Sequence, residues 1–548
     1  MKVTYKNIEI EIENENATVI EAFKEAIEEK ENIIACMVNN EVKPLNYVLK
    51  ENDEIELLNT STRDGARTYT RGLLFIMAMA FEELYPQTKL TVNFQLSSSM
   101  YCETEQDVII TEEMIKKVKT KMLEIINKNL PIKKVQMSKE EASKFIKKEN
   151  TEIGEIQLEN KDKKEVSLYF CEEYYNYFYG VMPISTGYIN LFDIMKYHDG
   201  FLIRYPSKNK PNEIKPYQEG KKLLATLEEY DDIYRILEIT TLSQLNEKIR
   251  NGEAKDIILL SEALHEKKIA NIADKIIEDR KKRVILIAGP SSSGKTTFAK
   301  RLGIQLKLNG LKPKTISVDN YFVEREETPK DEFGNYNFEA LEAVDLKLLN
   351  KHLVKLLNGE EIEVPTFDFK KGTKYYTGKT MKLEEDEVLV MEGIHCLNDE
   401  LTPAIDKNQK FKIYISALTV LNIDYYNRIS TTDTRIIRRT VRDSQFRGYD
   451  ALRTLSSWYS ISAGEEKYIF PFQEDADVMF NTSLIYEINA LKKYALPLFS
   501  QIGKEEKEYA EAKRLTEFLK YFEQIDIEDI PKNSLLREFI GGGIFNYD

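Results

Sequence analysis

Cysteine, histidine and tryptophan are scarce in this chain of 548 residues, which holds four, four and one of them. The sequence shows no C-x-x-C pair, which excludes a dense disulfide framework and gives no support for a dedicated zinc site. The widely spaced cysteines are Cys36, Cys102, Cys171 and Cys396. No stretch approaches the roughly 20 apolar residues needed to cross a bilayer, and the chain starts without an apolar signal region. We therefore expect a cytoplasmic protein with no membrane partner.

Positive charge is also limited. The net charge is −14 and the sequence pI is about 5.3, and the first sixty residues hold six lysines, fourteen carboxylates and no arginine. Such a surface attracts a phosphate backbone weakly, so the composition disfavours a nucleic-acid partner without excluding one. Hydrophobic residues make up 42% and charged residues 31%. These fractions predict a folded globular chain, and its length predicts three or four domains of roughly 100–200 residues each.

The most specific motif is the phosphate-binding loop Gly289-Pro290-Ser291-Ser292-Ser293-Gly294-Lys295-Thr296. It follows an apolar strand-like run, residues 284–288, and precedes an amphipathic stretch, residues 297–308, as a P-loop requires. Its backbone N–H groups and the following helix N-terminus suit phosphate oxygens. Lys295 is predicted to reach the β- and γ-phosphates and the Thr296 hydroxyl to bind Mg²⁺. The predicted ATP-binding residues are Gly289, Ser291, Ser292, Ser293, Gly294, Lys295, Thr296, Thr297 and Arg439.

Residues 284–490 alternate strand and helix patterns, which indicates a parallel sheet with helices on both faces. Asp319 stands at the predicted carboxyl end of one strand and Glu392 at that of another, where such sheets collect ligands. We expect Asp319 to accept a proton from an acceptor hydroxyl and to help hold Mg²⁺. We expect Glu392 to bind Mg²⁺ directly or through water. His395, three residues further on, is expected to be structural.

A third feature is an arginine-rich stretch, with five arginines in the thirteen residues 435–447. Arg435, Arg438, Arg439 and Arg442 share one face of a predicted helix. Because carboxylates are scarce nearby in the sequence, we expect this face to form a lid that closes over a triphosphate.

Together these motifs resemble the uridine kinase and phosphoribulokinase family, and most of all its uridine kinase branch. The ordered set is G-x-x-x-x-G-K-T, the V-D strand end, V-P-x-F-D-F at residues 364–369, V-x-x-E-G, and R-R-x-x-R-D-x-x-x-R-G. The resemblance implies ATP- and Mg²⁺-dependent transfer of the γ-phosphate to a sugar hydroxyl of a small-molecule acceptor. It implies catalytic roles for Asp319, Lys295 and Arg442, and metal binding by Thr296, Asp319 and Glu392. Substrate contacts are implied for Phe322, Phe338, Glu339, Phe367, Arg442 and Arg447.

The chain departs from the uridine kinase pattern at the acceptor pocket. The family's Asn-Phe-Asp-His-Pro is replaced by Asn-Phe-Glu-Ala-Leu at residues 337–341, so Glu339 carries its carboxylate one methylene further out. Phe367 replaces a common tyrosine, Gly372 falls where a histidine is frequent, and Ser457 falls where a glutamine is common. Polar groups that read a base supply much of an enzyme's discrimination. Uridine itself is therefore in question as the acceptor, whereas phosphoryl transfer is not.

The N-terminal half carries a second resemblance. Residues 1–60 show a β-grasp-like order of strands and one helix, predicted over residues 18–30. The stretches 37–45 and 52–58 are similar to the TGS domain of threonyl-tRNA synthetases. Residues 71–86 and 165–187, ending in Pro-Ile-Ser-Thr-Gly, are similar to the next, editing-type domain of that family.

The editing chemistry of that domain is not expected here. Aligned on the Leu-Tyr-Pro and Ser-Thr-Gly anchors, the family's three histidines and one cysteine correspond to Arg71, Phe75, Phe178 and Met182. None of these side chains supplies a neutral imidazole or a thiol for a metal or a hydrolytic water.

The sequence therefore predicts a multidomain α/β protein. Residues 1–60 form a TGS-like β-grasp domain, 61–215 an α+β editing-like domain, 216–280 a helical connector, 281–490 a P-loop kinase domain with a parallel sheet and flanking helices, and 491–548 its helical extension. Three functions stay open. They are a nucleoside kinase with a regulatory or interaction platform at its N-terminal half, an ATP-binding RNA-associated or regulatory protein, and a kinase of a non-nucleoside sugar phosphate. A homo-oligomer is compatible with the sequence.

Overall fold

The protein is a mixed α/β chain, seen here in a computed structural model. The model describes residues 1–29, 31–104, 108–146, 154–160, 163–330, 334, 336–368 and 371–546. Phe369 of the V-P-x-F-D-F motif and the last two residues of the expected C-terminal extension lie outside these ranges.

The first sixty residues form a mixed five-stranded sheet with two short helices. In chain order its elements are β1 (Lys2–Tyr5), β2 (Ile8–Glu11), α1 (Val19–Ala22), α2 (Lys24–Glu29), β3 (Ile33–Val38), β4 (Glu41–Lys43) and β5 (Glu54–Asn59). The strand order is β2-β1-β5-β3-β4, with β1 and β5 parallel and the other pairs antiparallel. The single helix predicted over residues 18–30 is instead broken at Phe23. This buried residue packs its ring 4.9 Å from that of Tyr5 and leaves helical geometry.

Residues 63–204 follow, and their described part contains one long buried helix and two antiparallel sheets. The elements are α3 (Arg63–Leu84), β6 (Leu90–Gln95), β7 (Ser99–Thr104), α4 (Glu112–Lys128), β8 (Lys133–Ser138), α5 (Lys139–Ile146), α6 (Glu155–Glu159), β9 (Glu165–Cys171), β10 (Tyr174–Asn176), β11 (Asp193–Tyr197) and β12 (Gly200–Arg204). The sheets have the orders β11-β12-β7-β6 and β10-β9-β8. Helix α3 begins eight residues before residue 71, the start of the stretch that is similar to the synthetase family. The Thr62 side chain caps the helix by accepting from the Gly65 amide at 3.1 Å.

Three helices connect the two halves: α7 (Lys221–Ile236), α8 (Leu242–Arg250) and α9 (Ala254–Glu278). The basic cluster 280–283 lies in the turn after α9, and Arg283 donates to the Glu387 carbonyl at 3.0 Å. The cluster thus anchors the turn to the next sheet.

The next part is built on a sheet of five strands, β13 (Val284–Ala288), β14 (Lys312–Ser317), β17 (Glu387–Glu392), β18 (Lys410–Ser416) and β19 (Val478–Asn481), and a separate hairpin is formed by β15 (Ile362–Asp368) and β16 (Thr373–Met381). The five strands are all parallel and lie in the order β14-β17-β13-β18-β19. Its helices are α10 (Lys295–Leu308), α11 (Leu346–Leu357), α12 (Thr431–Arg442) and α13 (Ala451–Tyr468), with a π-helical turn at Asp443–Arg447. Strand β13 is fully buried, as expected for a central parallel strand.

The chain ends in α14 (Glu487–Ser500), α15 (Tyr509–Leu519) and the single turn α16 (Arg537–Ile540). The domain boundary expected at 490/491 falls inside α14, and the domain limits stay a prediction. None of the helices in the described ranges is long and apolar enough to cross a membrane.

A buried ionic cluster joins the two halves. Glu511 on α15 accepts from Arg67 on α3 at 2.6 Å and from Arg514 at 2.8 Å. Arg514 also donates two hydrogen bonds, of 2.6 and 2.8 Å, to the carboxylate of Asp433 at the start of α12. Burial opposes charge on Glu511, yet its arginine neighbours hold the pKa of the carboxyl well below its usual range. The N-terminal half is therefore tied directly to the arginine-bearing helix.

Candidate functional site

The P-loop lies at the carboxyl end of β13, the central strand of the parallel sheet, and leads into α10. Two of its residues adopt the left-handed region, Ser292 with φ 59° and Gly294 with φ 86°. The turn places the first backbone donors of α10 at the edge of the sheet, where ligands of parallel sheets bind. The sequence prediction of this strand, loop and helix agrees with the structure to within two residues.

Three predicted residues meet at this edge. Lys295 follows β13, Asp319 follows β14 in a 3₁₀ turn, and Glu392 is the last residue of β17. These strands are neighbours, and Glu392 is level with both Ile287 and Ser317 in the register. The groups therefore converge in space although 97 residues separate the first from the last (392 − 295).

Asp319 and Glu392 form a pair of like charges. Desolvation by the surrounding protein raises the pKa of the Asp319 carboxyl, and the charges of Lys295 and Arg447 oppose this shift. Part of the residue remains exposed to the cleft between the P-loop and the carboxyl ends of β14 and β17. Burial, with the charge of Asp319 as a second cause, raises the pKa of Glu392 to about 7. Two neighbouring carboxylates repel each other when both are charged, and a bound cation would relieve that repulsion.

The donor set also suits magnesium in particular. The described part of the chain has no cluster of three or more His, Cys, Asp and Glu side chains that would hold a metal by themselves. Mg²⁺ is usually held by one or two carboxylates together with substrate phosphates and water. Thr296, Asp319 and Glu392 fit that pattern.

The P-loop itself offers polar groups with no internal role. The hydroxyls of Ser292 and Ser293 are buried and find no hydrogen-bond partner among the described residues. The Lys295 ammonium donates to the carbonyls of Gly289 and Pro290 at 2.9 and 3.3 Å. Orphaned hydroxyls beside a lysine and a helix N-terminus fit phosphate oxygens, because each can then make a charge-assisted bond.

Gly289 leaves no room for a side chain, so Gly289→Ala is expected to disrupt the loop. A Cβ there would lie 2.1 Å from the Ile415 carbonyl oxygen, and backbone on a central strand cannot yield cheaply. We expect a lower thermal unfolding midpoint and at least tenfold weaker binding of Mg²⁺-ATP, measured by differential scanning fluorimetry and equilibrium titration.

Gly303→Ala is the matched control. A Cβ at this position inside α10 would make only an ordinary contact of 3.4 Å with Pro313. Its helix propensity should be neutral or favourable, by up to about 1 kcal/mol. Equal losses in the two variants would contradict the steric account of Gly289.

The predicted acceptor residues form an aromatic group beside the carboxylates. The Phe322 ring lies 6.0 Å from that of Phe338 and 5.6 Å from that of Phe367, in edge-to-face geometry. Glu339 packs against the backbone of Gly464. Burial, helped by the charges of Glu465 and Asp319, raises the pKa of Glu339 to about 7. Phe322 and Phe367 are almost fully buried, Phe338 and Glu339 are half-buried, and the charge of Asp319 acts on Glu339.

The arginine-rich helix α12 differs from the expectation. Arg435 pairs with Glu465 and Arg438 with Glu487 at 2.5 Å, and both arginines are almost fully buried. Carboxylates distant in sequence therefore neutralise half of the stripe, so it does not face a triphosphate as a whole. Arg435 donates to the Ser291 carbonyl at 2.9 Å and Arg438 to that of Ser292 at 3.4 Å, which supports the P-loop from behind.

Arg439, Arg442 and Arg447 remain accessible in part. All three make ion pairs with one buried carboxylate, Asp443, at 3.1–3.4 Å. Asp443 alone does not balance three arginines, and the charges of Glu339 and Asp319 also act on Arg439 and Arg447 respectively. Arg439 also donates to the Ser291 hydroxyl at 2.5 Å, and the charge of Arg447 acts on Asp319. Arg442 shows contacts with Asp443 and none of the described contacts joins it to Asp319 or Lys295.

Two carboxylates at the P-loop were missed in the sequence. Glu465 on α13 accepts from the Ser291 amide at 2.8 Å, and Glu538 on α16 accepts from the amide and the hydroxyl of Thr297 at 3.0 and 2.7 Å. No local motif marks either residue. Thr297, predicted to bind ATP, is thus engaged by a side chain of the protein itself.

The four editing-type positions also meet in the fold. Phe75, Phe178 and Met182 are almost fully buried in one core, with the two rings 5.9 Å apart, edge to face. Arg71 lies on the backbone of Gly180 and donates to the Val181 carbonyl at 3.1 Å. Apolar packing therefore fills the positions of Phe75, Phe178 and Met182.

A P-loop on a central parallel strand, with a lysine and two strand-end carboxylates around it, defines the class of P-loop kinases. The sequence profile of the phosphoribulokinase/uridine kinase family matches residues 284–485. A uridine kinase of Mycoplasma genitalium is 31% identical over 212 residues, covering 38% of this chain and 90% of that protein. The chain therefore belongs to the phosphoribulokinase/uridine kinase family, and it is a phosphotransferase.

Other similarities are partial. A threonine–tRNA ligase of Clostridium kluyveri is 28% identical over 151 residues, which cover 27% of this chain but only 24% of that enzyme. A solved structure described as a possible uridine kinase from Bacillus stearothermophilus covers 39% of this chain and 98% of its own, at 20% identity and a TM-score of 0.27.

Proposed function

We propose that the protein is an ATP- and Mg²⁺-dependent kinase that transfers the γ-phosphate to a hydroxyl of a nucleoside or a related small molecule. The observation that carries the proposal is the convergence of Lys295, Asp319 and Glu392 on the edge beside the P-loop. A protein that only switches on nucleotide binding has no need of an acceptor-side base such as Asp319. Family membership and the described similarity to uridine kinases support the same activity.

In the proposed reaction the acceptor lies against Phe322, Phe338 and Phe367. Its hydroxyl oxygen attacks the γ-phosphorus while Asp319 accepts the hydroxyl proton. The bond from the γ-phosphorus to the bridging oxygen breaks, and ADP leaves with the electron pair.

The remaining residues supply charge and position. Lys295 and the P-loop amides bind phosphate oxygens, and Arg439, Arg442 and Arg447 neutralise charge that spreads over the transferred group. Thr296, Asp319 and Glu392 are the residues that would hold Mg²⁺, which when bound neutralises the β- and γ-phosphate oxygens. We propose that Glu339 bonds acceptor hydroxyls, which is supported by the effect of the Asp319 charge on its carboxyl.

The acceptor remains to be named by experiment. Ser457, at the position of a common base-reading glutamine, donates to the Thr454 carbonyl at 3.0 Å within its own helix. Gly372 carries no side chain, and the Arg325 side chain packs against it. These features weaken the argument for uridine and keep sugar phosphates among the acceptors to be tested.

For the N-terminal half we propose a TGS-like and an editing-like domain that act as a regulatory or interaction platform without hydrolytic activity. The apolar packing of Phe75, Phe178 and Met182 supports the loss of editing. The Arg67–Glu511–Arg514–Asp433 cluster supports a regulatory link, since it joins α3 to α12. Salt-dependent RNA binding by the full chain would favour the RNA-associated alternative instead.

The test is ADP release with Mg²⁺-ATP across a panel of nucleosides and sugar phosphates. We expect one class of acceptor to stimulate release in the wild type, with the stimulation lost in Lys295→Ala and Asp319→Asn. Lys307→Ala, an exposed lysine further along α10, and Asp386→Asn, an exposed aspartate, are the matched controls and should keep activity. ATP binding without stimulation by any acceptor would contradict the proposed kinase.

A further inference from the structure

The C-terminal segment, residues 534–546, packs onto the start of the P-loop helix. Leu535 is fully buried, and a Cβ on Gly294 would lie 2.6 Å from its Cδ2. Phe539 is also fully buried and stacks under the Arg438 guanidinium at 5.1 Å. The segment therefore covers the loop at the point where α10 begins.

Glu538 of this segment holds a backbone donor of the kind that binds phosphate. The first intrahelical bond of α10 runs from the Phe298 amide to the Gly294 carbonyl at 3.0 Å. The Thr297 amide precedes it and is one of the first four backbone donors of the helix. Glu538 accepts from this amide at 3.0 Å and from the Thr297 hydroxyl at 2.7 Å. A carboxylate is thus the anion at this helix N-terminus.

The position of this carboxylate matters for a triphosphate. In a P-loop the lysine reaches the β- and γ-phosphates, and the backbone amides cradle the α- and β-phosphates. Thr297 follows the lysine and the magnesium-binding threonine, so its amide faces the α-phosphate end. Glu538 is also near enough to Glu392 for its charge to act on that carboxyl. The segment thus adds negative charge to a site that must receive a polyanion.

We propose that Glu538 sets the nucleotide affinity of this site by occupying the place of the donor's α-phosphate, so that a bound nucleoside triphosphate displaces residues 534–546. The proposal rests on the proposed function, since it concerns the same nucleotide. Two anions cannot share the Thr297 amide, and like charges a few ångströms apart repel strongly where water is excluded. The measured affinity is then the intrinsic affinity multiplied by the fraction of molecules in which the segment is already displaced.

The segment also contacts the π-helical turn at the end of α12. Gly541 and Gly542 adopt positive φ values of 78° and 69°, and a Cβ on Gly541 would lie 3.1 Å from the Phe446 ring. Phe446 belongs to the π-helical turn that carries Arg447. Displacement of the segment therefore frees the same turn whose arginine acts on Asp319.

The test compares the full-length wild type with Glu538→Ala and the isosteric Glu538→Gln. We expect both variants to bind Mg²⁺-ATP at least tenfold more tightly by equilibrium titration. Asp529→Asn, an exposed carboxylate in the same C-terminal region, should leave the affinity unchanged. Unchanged or weaker binding in the Glu538 variants, with binding retained in the wild type, would overturn the proposal.

Hydrogen exchange of the wild type gives an answer that does not depend on any variant folding. Mg²⁺-ATP should speed exchange across residues 534–546, because the nucleotide displaces them. Slower exchange there would mean that the segment closes on the nucleotide, and would overturn the displacement. If neither the wild type nor either Glu538 variant binds ATP, the proposed function itself fails, and the inference fails with it.

Discussion

Replacing Asp319 by asparagine is expected to lower kcat for the stimulating acceptor about 10²- to 10⁴-fold, the usual contribution of a general base. The amide keeps the size of the side chain but cannot accept the hydroxyl proton. The Kd for Mg²⁺-ATP should rise much less than kcat falls, because Asp319 is only one of the three residues assigned to Mg²⁺ and the P-loop and Lys295 are untouched. Steady-state kinetics with an independent nucleotide titration separates the two effects.

The control for this prediction is Asp386→Asn. Asp386 is exposed and pairs with Lys312 at 2.6 Å, away from the carboxyl edge of the sheet. It should keep wild-type kcat. An Asp319→Asn enzyme with near wild-type kcat would remove Asp319 from the role of base and leave phosphoryl transfer without an assigned proton acceptor.

Replacing Arg438 by methionine is expected to destabilise the protein by about 3–5 kcal/mol, because it leaves one member of a buried ion pair without its partner. Arg438 is fully buried, its Nε donates to Glu487 at 2.5 Å, and its other nitrogens donate to Thr482. Methionine retains much of the volume but none of the five donors. Chemical unfolding monitored by circular dichroism should show the loss as a lower transition midpoint.

The contribution of Glu487 can be isolated in the same assay. In Arg438→Met/Glu487→Gln the uncompensated charge is absent, so the double variant should be more stable than Arg438→Met alone. Arg280→Met, at an exposed arginine outside the helices, should unfold like the wild type. If Arg438→Met and Arg280→Met unfold alike, Arg438 does not hold the P-loop region together.

The parallel sheet could be predicted closely from the sequence. The strand predicted at 284–288 is found at Val284–Ala288, and the alternating pattern over residues 284–490 contains the strands Lys312–Ser317, Glu387–Glu392 and Lys410–Ser416. Short apolar runs bounded by turn residues are consistent with buried strands. That Lys295, Asp319 and Glu392 lie at one edge of the sheet follows from parallel strands, since their carboxyl ends share an edge. Their convergence also needs the neighbouring order β14-β17-β13, which only the structure shows.

The partners of the arginines could not be predicted in this way. Glu465 and Glu487 lie 30 and 49 residues from the arginines they neutralise, and Glu538 lies 241 residues from Thr297. Periodicity shows which arginines share a helix face, but not which distant carboxylate packs against it. The break at Phe23 was missed for a similar reason, because its burial against Tyr5 depends on the tertiary fold.

The departures from the uridine kinase pattern can be located in the sequence, but their effect on the choice of acceptor cannot be predicted from it. Sequence alone locates Glu339 and Gly372, whereas the packing of Glu339 on Gly464 and of Arg325 on Gly372 requires the fold. The proposed acceptor site therefore keeps the aromatic residues of the family pattern and differs in its polar groups. Acceptor identity depends on exactly those polar groups.

The most direct test of the account follows the γ-phosphate itself, with γ-labelled ATP, Mg²⁺, the full-length protein and the acceptor panel. The account predicts that the label appears on a small-molecule acceptor, with one phosphoryl group added by mass, and that Asp319→Asn slows its formation about 10²- to 10⁴-fold. Label found only as inorganic phosphate, or on RNA or protein, would contradict the assignment of this site as a small-molecule kinase.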